Sequence, residues 1–310
     1  MSEIKNLYTE NGYVISNPTL NDESISWFRE KFDEEFQDYE NNTILKLTNL
    51  KNEDLIKRIV KIFSSHEIKQ TISELEKITD EKVSLLPTFE IFKNYHVNLN
   101  QFLGWHRDCG GELKYDYCRN ILYGKDYVFS KVGIYFQDNT EYGGCIDLIK
   151  KSQKNFSNKK KRNIKLFFLK IFHKYFRKIY TSLSEKLFMK ILDAERLYPK
   201  KSAAVFFDSR TIHRGSPISK SKMNEVKFLD GKYKAFLPKE KDKYTIYCHF
   251  GSTKSVDSYM YDRLRRENNS KELELWLKQI EFISKYDQEL SNQMKFVIDP
   301  ITHKYKEFLN

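Results

Sequence analysis

The stretch 102-FLGWHRDCGGE-112 decides how this chain is to be read. On an extended strand side chains alternate in direction, so His106 and Asp108 face one way and Arg107 the other. A His and an Asp so placed are two thirds of a metal site, or a plain polar patch at a strand end. A third ligand elsewhere in the chain separates the two readings. The best candidate is His213 in 205-VFFDSRTIHRGSP-217, where a buried apolar run ends in a turn and the imidazole follows it. Two imidazoles and one carboxylate on one side of a metal leave the other side open, which suits Fe(II) activating dioxygen beside a chelating co-substrate. The other histidines have duller settings: His66 and His303 in helical or terminal stretches, His173 in a basic segment, His96 and His249 on strands.

Outward from this stretch, the middle of the chain reads as short strands. The segments 85-LLPTFEIFKNYHV-97, 127-YVFSKVGIYFQD-138, 144-GCIDLI-149, 202-SAAVFFDS-209 and 243-KYTIYCHF-250 are aromatic and β-branched, and Gly, Asn and Pro punctuate them. They lie too close together, with too few helices between, for a doubly wound parallel sheet, so an antiparallel barrel or jelly roll is expected. The N-terminal third reads helical, with a start at Asn21-Asp22-Glu23 and further helices over about 53–64 and 66–79. Helical spacing returns from about 255 to 295 through Leu264, Leu273, Trp276, Ile280 and Ile283. The expected organisation is one domain over 1–310: a mostly helical part to residue 80, a β core over 85–250 and C-terminal helices over 255–310.

With 310 residues, 40% hydrophobic and 15% aromatic, the chain is of globular and not disordered composition. No run of eighteen apolar residues occurs, and the first residues show no signal-peptide pattern, so a cytoplasmic protein is expected. Cys109, Cys118, Cys145 and Cys248 lack the CxxC pairing of zinc sites and are read as reduced, buried or half-buried thiols. The net charge of +11 is concentrated: residues 159–190 hold eleven Lys and Arg against Glu185 alone, a local +10 that leaves the rest near neutral.

The order HxD, then 144-GCIDLIKKSQ-153, then 204-AVFFDSRTIHRGSP-217, then 243-KYTIYCHF-250 resembles the phytanoyl-CoA dioxygenase family, and 10-ENGYVI-15 resembles the first strand common there. The resemblance implies a double-stranded β-helix (a cupin-like jelly roll flanked by helices) and an Fe(II)- and 2-oxoglutarate-dependent dioxygenase. It implies that His106, Asp108 and His213 are the iron ligands. It also implies a basic residue on the strand after the distal His that grips the far carboxylate of 2-oxoglutarate; here that residue is Lys243. A dianionic acid needs a fixed cation at one end and the metal at the other, which agrees. On 131-KVGIYFQ-137, Tyr135 and Gln137 are expected to line the co-substrate pocket or simply to pack the barrel.

Three departures stand out. The segment 219–242 lengthens the gap between His213 and Lys243, so Lys220 and Lys222 compete for the carboxylate. The cation is Lys where the family more usually has Arg, which keeps the charge and loses the bidentate fork. A proline-glycine-serine-histidine turn of the family is replaced by 150-KKSQ-153, which leads into the basic segment. Because Asp108 is present, hydroxylation of an aliphatic carbon is expected and not halogenation, which in related enzymes accompanies a small residue there.

The insert 156–195 contains 159-KKKRNIKLFFLKIFHKYFRKIYTSLSEKLFMKIL-192, whose Ile164, Phe168, Ile171, Tyr175, Ile179, Leu183, Leu187 and Ile191 form one helical stripe flanked by lysines. Such a basic amphipathic helix is a lid over the barrel, or a contact with an anionic membrane surface. The long aliphatics tell against nucleic acid, where stacking aromatics would be expected. The substrate classes left open are a small metabolite and a lipid or lipid-linked glycan. A nucleic-acid-directed oxygenase and a non-catalytic jelly-roll module binding membranes or acidic partners are the competing readings.

Overall fold

The computed structural model describes residues 3–39, 44–79, 81–94, 96–98, 105–108, 128–142, 146–154, 189–216, 225–229, 232–236, 242–265 and 271–308. The chain begins with α1 (Glu3–Asn11), β1 (Tyr13–Pro18), α2 (Asp22–Glu35), β2 (Ile44–Lys46), α3 (Glu53–Phe63) and α4 (His66–Glu76). The middle holds β3 (Val83–Leu85), β4 (Glu90–Asn94), β5 (His96–Asn98), β6 (Phe129–Tyr135), the single helical turn α5 (Asn139–Tyr142), β7 (Ile146–Ile149) and β8 (Ala194–Arg196). Then come β9 (Ala203–Asp208), β10 (His213–Gly215), β11 (Glu225–Leu229), β12 (Lys232–Phe236) and β13 (Lys243–Ser252). Three helices follow: α6 (Thr253–Arg265), α7 (Lys271–Ser284) and α8 (Gln288–Lys304).

All strand pairs are antiparallel. The large sheet runs β1-β9-β6-β13-β4-β2, with β3 also on β13, and two three-stranded sheets run β10-β7-β8 and β11-β12-β5. Alternation assigns each face of the large sheet. On β6, β9 and β13 the residues Val132, Ile134, Ala204, Phe206, Tyr244, Ile246, Cys248 and Phe250 belong to the core shared with the helices. Their neighbours Tyr135, Val205 and Phe207 belong to a second apolar cluster with Ile146 and Leu148 of β7, so the space between the large and small sheets is a separate, inward-facing core.

Local chemistry accounts for the helices. Asn21, Asn52 and Asp287 each accept a hydrogen bond from a backbone N–H of the first turn, at Ser24, Leu55 and Leu290. The helix α2 lays Phe28 and Phe32 against Phe136, with ring centroids 5.1 Å apart in both pairs. Burying rings of this kind contributes about 1.5–3 kcal/mol each. The expected helices over 53–64 and 66–79 match α3 and α4, and each expected strand segment contains a strand. The elements that escaped the sequence reading include α1, the short strands β2 and β8, and the hairpin β11–β12 inside 219–242, whose second strand pairs with β5. The mixed helical and antiparallel class agrees with expectation. The insert stripe lies outside the described residues except at its end, where residues 189–192 are helical and Leu192 packs on Ile149 and Trp105. Lys220, Lys222, Cys109, Cys118 and Cys145 also lie outside them. Cys248 is a buried free thiol.

Candidate metal centre

The segment carrying Trp105 to Asp108 lies beside β10. His106 and His213 form an antiparallel bridge in which each N–H donates to the other's carbonyl at 2.9 Å, and the Asp108 N–H donates to Ser209 O at 3.1 Å. The two imidazoles therefore stand on directly opposed positions of neighbouring strands, with ring centroids 4.3 Å apart. Asp108 follows two residues later on the same face. Its Oδ1 lies 3.7 Å from His106 Nε2 and 3.6 Å from His213 Nε2. One donor atom from each of the three residues falls within a mutual 4.8 Å.

The neighbours hold these donors in place. His213 is buried, its Nδ1 lies 3.0 Å from Thr211 O, and its ring meets the edge of Phe207. A proton on Nδ1 donated to that carbonyl leaves the Nε2 lone pair turned towards Asp108, the tautomer a metal ligand requires. Thr211 is in turn tied to Gly12, whose carbonyl accepts from the Thr211 hydroxyl. Gly12 has φ of +86°, and a Cβ there would lie 2.4 Å from Thr211 Oγ1, so the position requires glycine.

Behind the ligands, the outer face of the small sheet carries a buried ionic cluster. Asp147 of β7 accepts from Arg196 of β8 at 2.7 and 3.0 Å, from Arg214 of β10 at 2.9 Å and from the Ser216 hydroxyl at 2.8 Å. Arg214 lies over the Trp105 ring at 4.6 Å. Trp105 and Arg214 are the chain neighbours of His106 and His213, so the strand pair that bears the imidazoles inward is pinned from outside. Arg107 also points outward, donating to Ser152 O.

Electrostatics suit a cation. Burial alone would raise the Asp108 pKa. His213 and the Lys131 ammonium together outweigh it, and the carboxyl is held well below its usual range. Its outer oxygen Oδ2 is buried without a hydrogen-bond donor and faces Lys131 Nζ at 3.5 Å. An ionised carboxylate converging with two imidazole nitrogens is a donor set that fits a divalent metal, and two His with one carboxylate fit non-haem Fe(II). Lys131 of β6 and His249 of β13 were not singled out from the sequence. They pair across the sheet and reach Asp108 only through that register, which no local motif encodes.

The remaining expected site residues divide. Tyr135 is buried between the sheets, its hydroxyl 3.2 Å from that of Tyr247. Lys243 is buried at the start of β13, and by alternation it shares the inner face with Thr245, Tyr247 and His249. Gln137 has a different setting: its amide oxygen accepts from Tyr244 N at 3.1 Å and its nitrogen donates to Asn139 at 3.2 Å. The oxygen extends the β6–β13 pairing, and the nitrogen ties the side chain to α5.

No family model matches the chain, and no curated protein matches it. Among solved structures, HygX from Streptomyces hygroscopicus, with nickel and 2-oxoglutarate bound, aligns with a TM-score of 0.46 at 11% identity, covering 82% of this chain and 88% of that one. AviO1 from Streptomyces viridochromogenes gives 0.46 at 11% over 80% and 93%. EvdO2 from Micromonospora carbonacea var. aurantiaca, complexed with 2-oxoglutarate, gives 0.42 at 10% over 81% and 91%. Likenesses this distant decide nothing about chemistry, which has to be argued from the chain's own residues.

Proposed function

We propose that this chain is an Fe(II)- and 2-oxoglutarate-dependent oxygenase of the double-stranded β-helix class, resembling the phytanoyl-CoA dioxygenases, acting on a small molecule. The observation that carries the reading is the convergence of His106, Asp108 and His213 on one point between two antiparallel sheets, with Asp108 held ionised. Iron(II) and dioxygen, with 2-oxoglutarate going to succinate and carbon dioxide, supply the oxidation of a substrate carbon–hydrogen bond to the alcohol.

The protein's share is to hold and orient. His106, Asp108 and His213 would hold the metal from one side, and co-substrate and oxygen would approach it from the other. Lys131 neutralises the outer oxygen of Asp108, which favours Oδ1 as the donor. Lys243 and the Tyr135 hydroxyl, both buried, are assigned to the distal carboxylate of 2-oxoglutarate, Lys243 supplying charge and Tyr135 a hydrogen bond. The apolar residues between the sheets exclude water from the reacting carbon.

Anaerobically prepared protein loaded with Fe(II) is expected to convert 2-oxoglutarate to succinate. His106→Ala and Asp108→Ala are expected to abolish both turnover and Fe(II) retention. Lys243→Met should keep the metal and raise the 2-oxoglutarate requirement at least tenfold. Full turnover in folded His106→Ala protein would refute the metal assignment.

A further inference from the structure

Next to the metal centre lies a cavity of about 430 Å³, at the end of the large sheet and roofed by α7. The two share His249, which lines the cavity, pairs with Lys131 across β13 and β6, and acts electrostatically on Asp108. Its volume falls within the range of small-molecule sites.

The lining is unlike that of an acyl or phosphate site. One wall is aromatic: Tyr259 and Trp276 line it with nearly parallel rings, and behind them the buried Phe129 stacks on both Tyr259 and His249. Its charges cancel, with Lys46 paired to Glu90, and Glu272 accepting from the Tyr259 hydroxyl while Lys278 stands nearby. One polar group of the lining remains without a partner among the described residues: Gln279 is 5% exposed and its side-chain oxygen has no donor. His249, half-buried, engages Thr88 through Nδ1. A buried amide oxygen left unsatisfied is destabilising, a deficit that a ligand hydroxyl would remove.

We propose that this cavity binds an uncharged polyhydroxylated ring, a sugar or cyclitol, and presents it to the metal centre as substrate. An acyl chain would leave the carboxylates and Gln279 facing hydrocarbon, and a phosphorylated ligand would need a net positive lining. A hydroxylated ring places its apolar face on the aromatic wall and its hydroxyls on Gln279, His249 and Glu272. The substrate role rests on the oxygenase reading above; binding in the cavity does not.

Two arms keep these apart. First, metal-free protein is titrated with methyl β-glucoside, myo-inositol, decanoate and inorganic phosphate, followed by isothermal titration calorimetry. The two polyols are expected to bind. Gln279→Met, and Leu275→Trp at the exposed rim, should each weaken them at least fivefold with the melting temperature unchanged. Binding of decanoate or phosphate in preference to the polyols, or equal polyol binding by both variants, overturns the proposal. Second, Mn(II)-loaded protein is expected to broaden the proton lines of the bound polyol, and His106→Ala protein is not. Polyol binding without broadening in Mn(II)-loaded protein overturns the substrate role. Failure to take up Mn(II) at all overturns the oxygenase reading and that role, while the first arm still decides the cavity's ligand.

Discussion

His249 sits where three demands meet: it stacks on Phe129, engages Thr88 through Nδ1 and borders Lys131. Burial pushes its pKa down to about 4, and the Lys131 ammonium pushes the same way against the smaller pull of Asp108 and Glu90. It is therefore neutral in the folded protein at pH 7. The unfolded chain takes up this proton near pH 6.5, so between about 6.5 and 4 the unfolded state binds more protons. Stability from this residue is fully present above pH 6.5 and is lost as pH falls towards 4, by roughly 3 kcal/mol in all. Denaturant midpoints measured across that window should slope less in His249→Gln than in the wild type. An unchanged slope would show that the residue titrates normally. At this scale the sequence was informative where a motif is local. His106 and Asp108 stand two apart, and His213 follows a visibly buried strand. It was silent on Lys131 and His249, whose roles come from the strand opposite.

Elements, and not single side chains, set the spacing of the candidate ligands. The bridge between His106 and His213 and the ladder of β10 on β7 place the imidazoles, and the Asp147 cluster closes the outer side. Asp147 is fully buried, so Asp147→Asn leaves two guanidiniums facing each other without a counter-charge. The expected loss is about 3–5 kcal/mol of stability. Metal affinity should fall as well, since Trp105 and Arg214 adjoin His106 and His213. Chemical denaturation and an Mn(II) titration check the two parts separately. Most of these elements could be read from the chain: α2 and α3 announce themselves by an Asn cap and an apolar stripe, and β6, β9 and β13 by aromatic, β-branched runs. The β11–β12 hairpin was missed although its signal is present: 225-EVKFL-229 and 232-KYKAF-236 alternate polar and apolar residues on either side of Asp230-Gly231, the sequence signature of a two-residue hairpin, and the lysines obscured it. Gln137 shows the complementary limit. Its position on an inward strand is legible, but the partners of its amide are set by the β6–β13 pairing.

Over the whole molecule, helices cover one face of the large sheet and the small sheet faces the other, so the large sheet separates two cores and the candidate centre lies on the side of the smaller one. Among the described residues no helix is long and apolar enough to cross a membrane. At the end of the basic segment, residues 189–192 pack against the outer face of the small sheet beside Trp105.

The pairing of β1 with β9 carries a consequence for how the protein assembles. Tyr13 meets Phe207, and Gly12 reaches the turn that holds His213, so the first strand of the chain must wait for residues far downstream. Chains whose contacts join distant segments fold slowly, because loop closure must precede the reward of contact. His106 and His213 belong to the same late event. During refolding, recovery of Mn(II) binding should therefore trail the return of helical circular dichroism and coincide with the slowest phase. Metal uptake in the earliest phase would show instead that the two histidines meet before the sheet has closed.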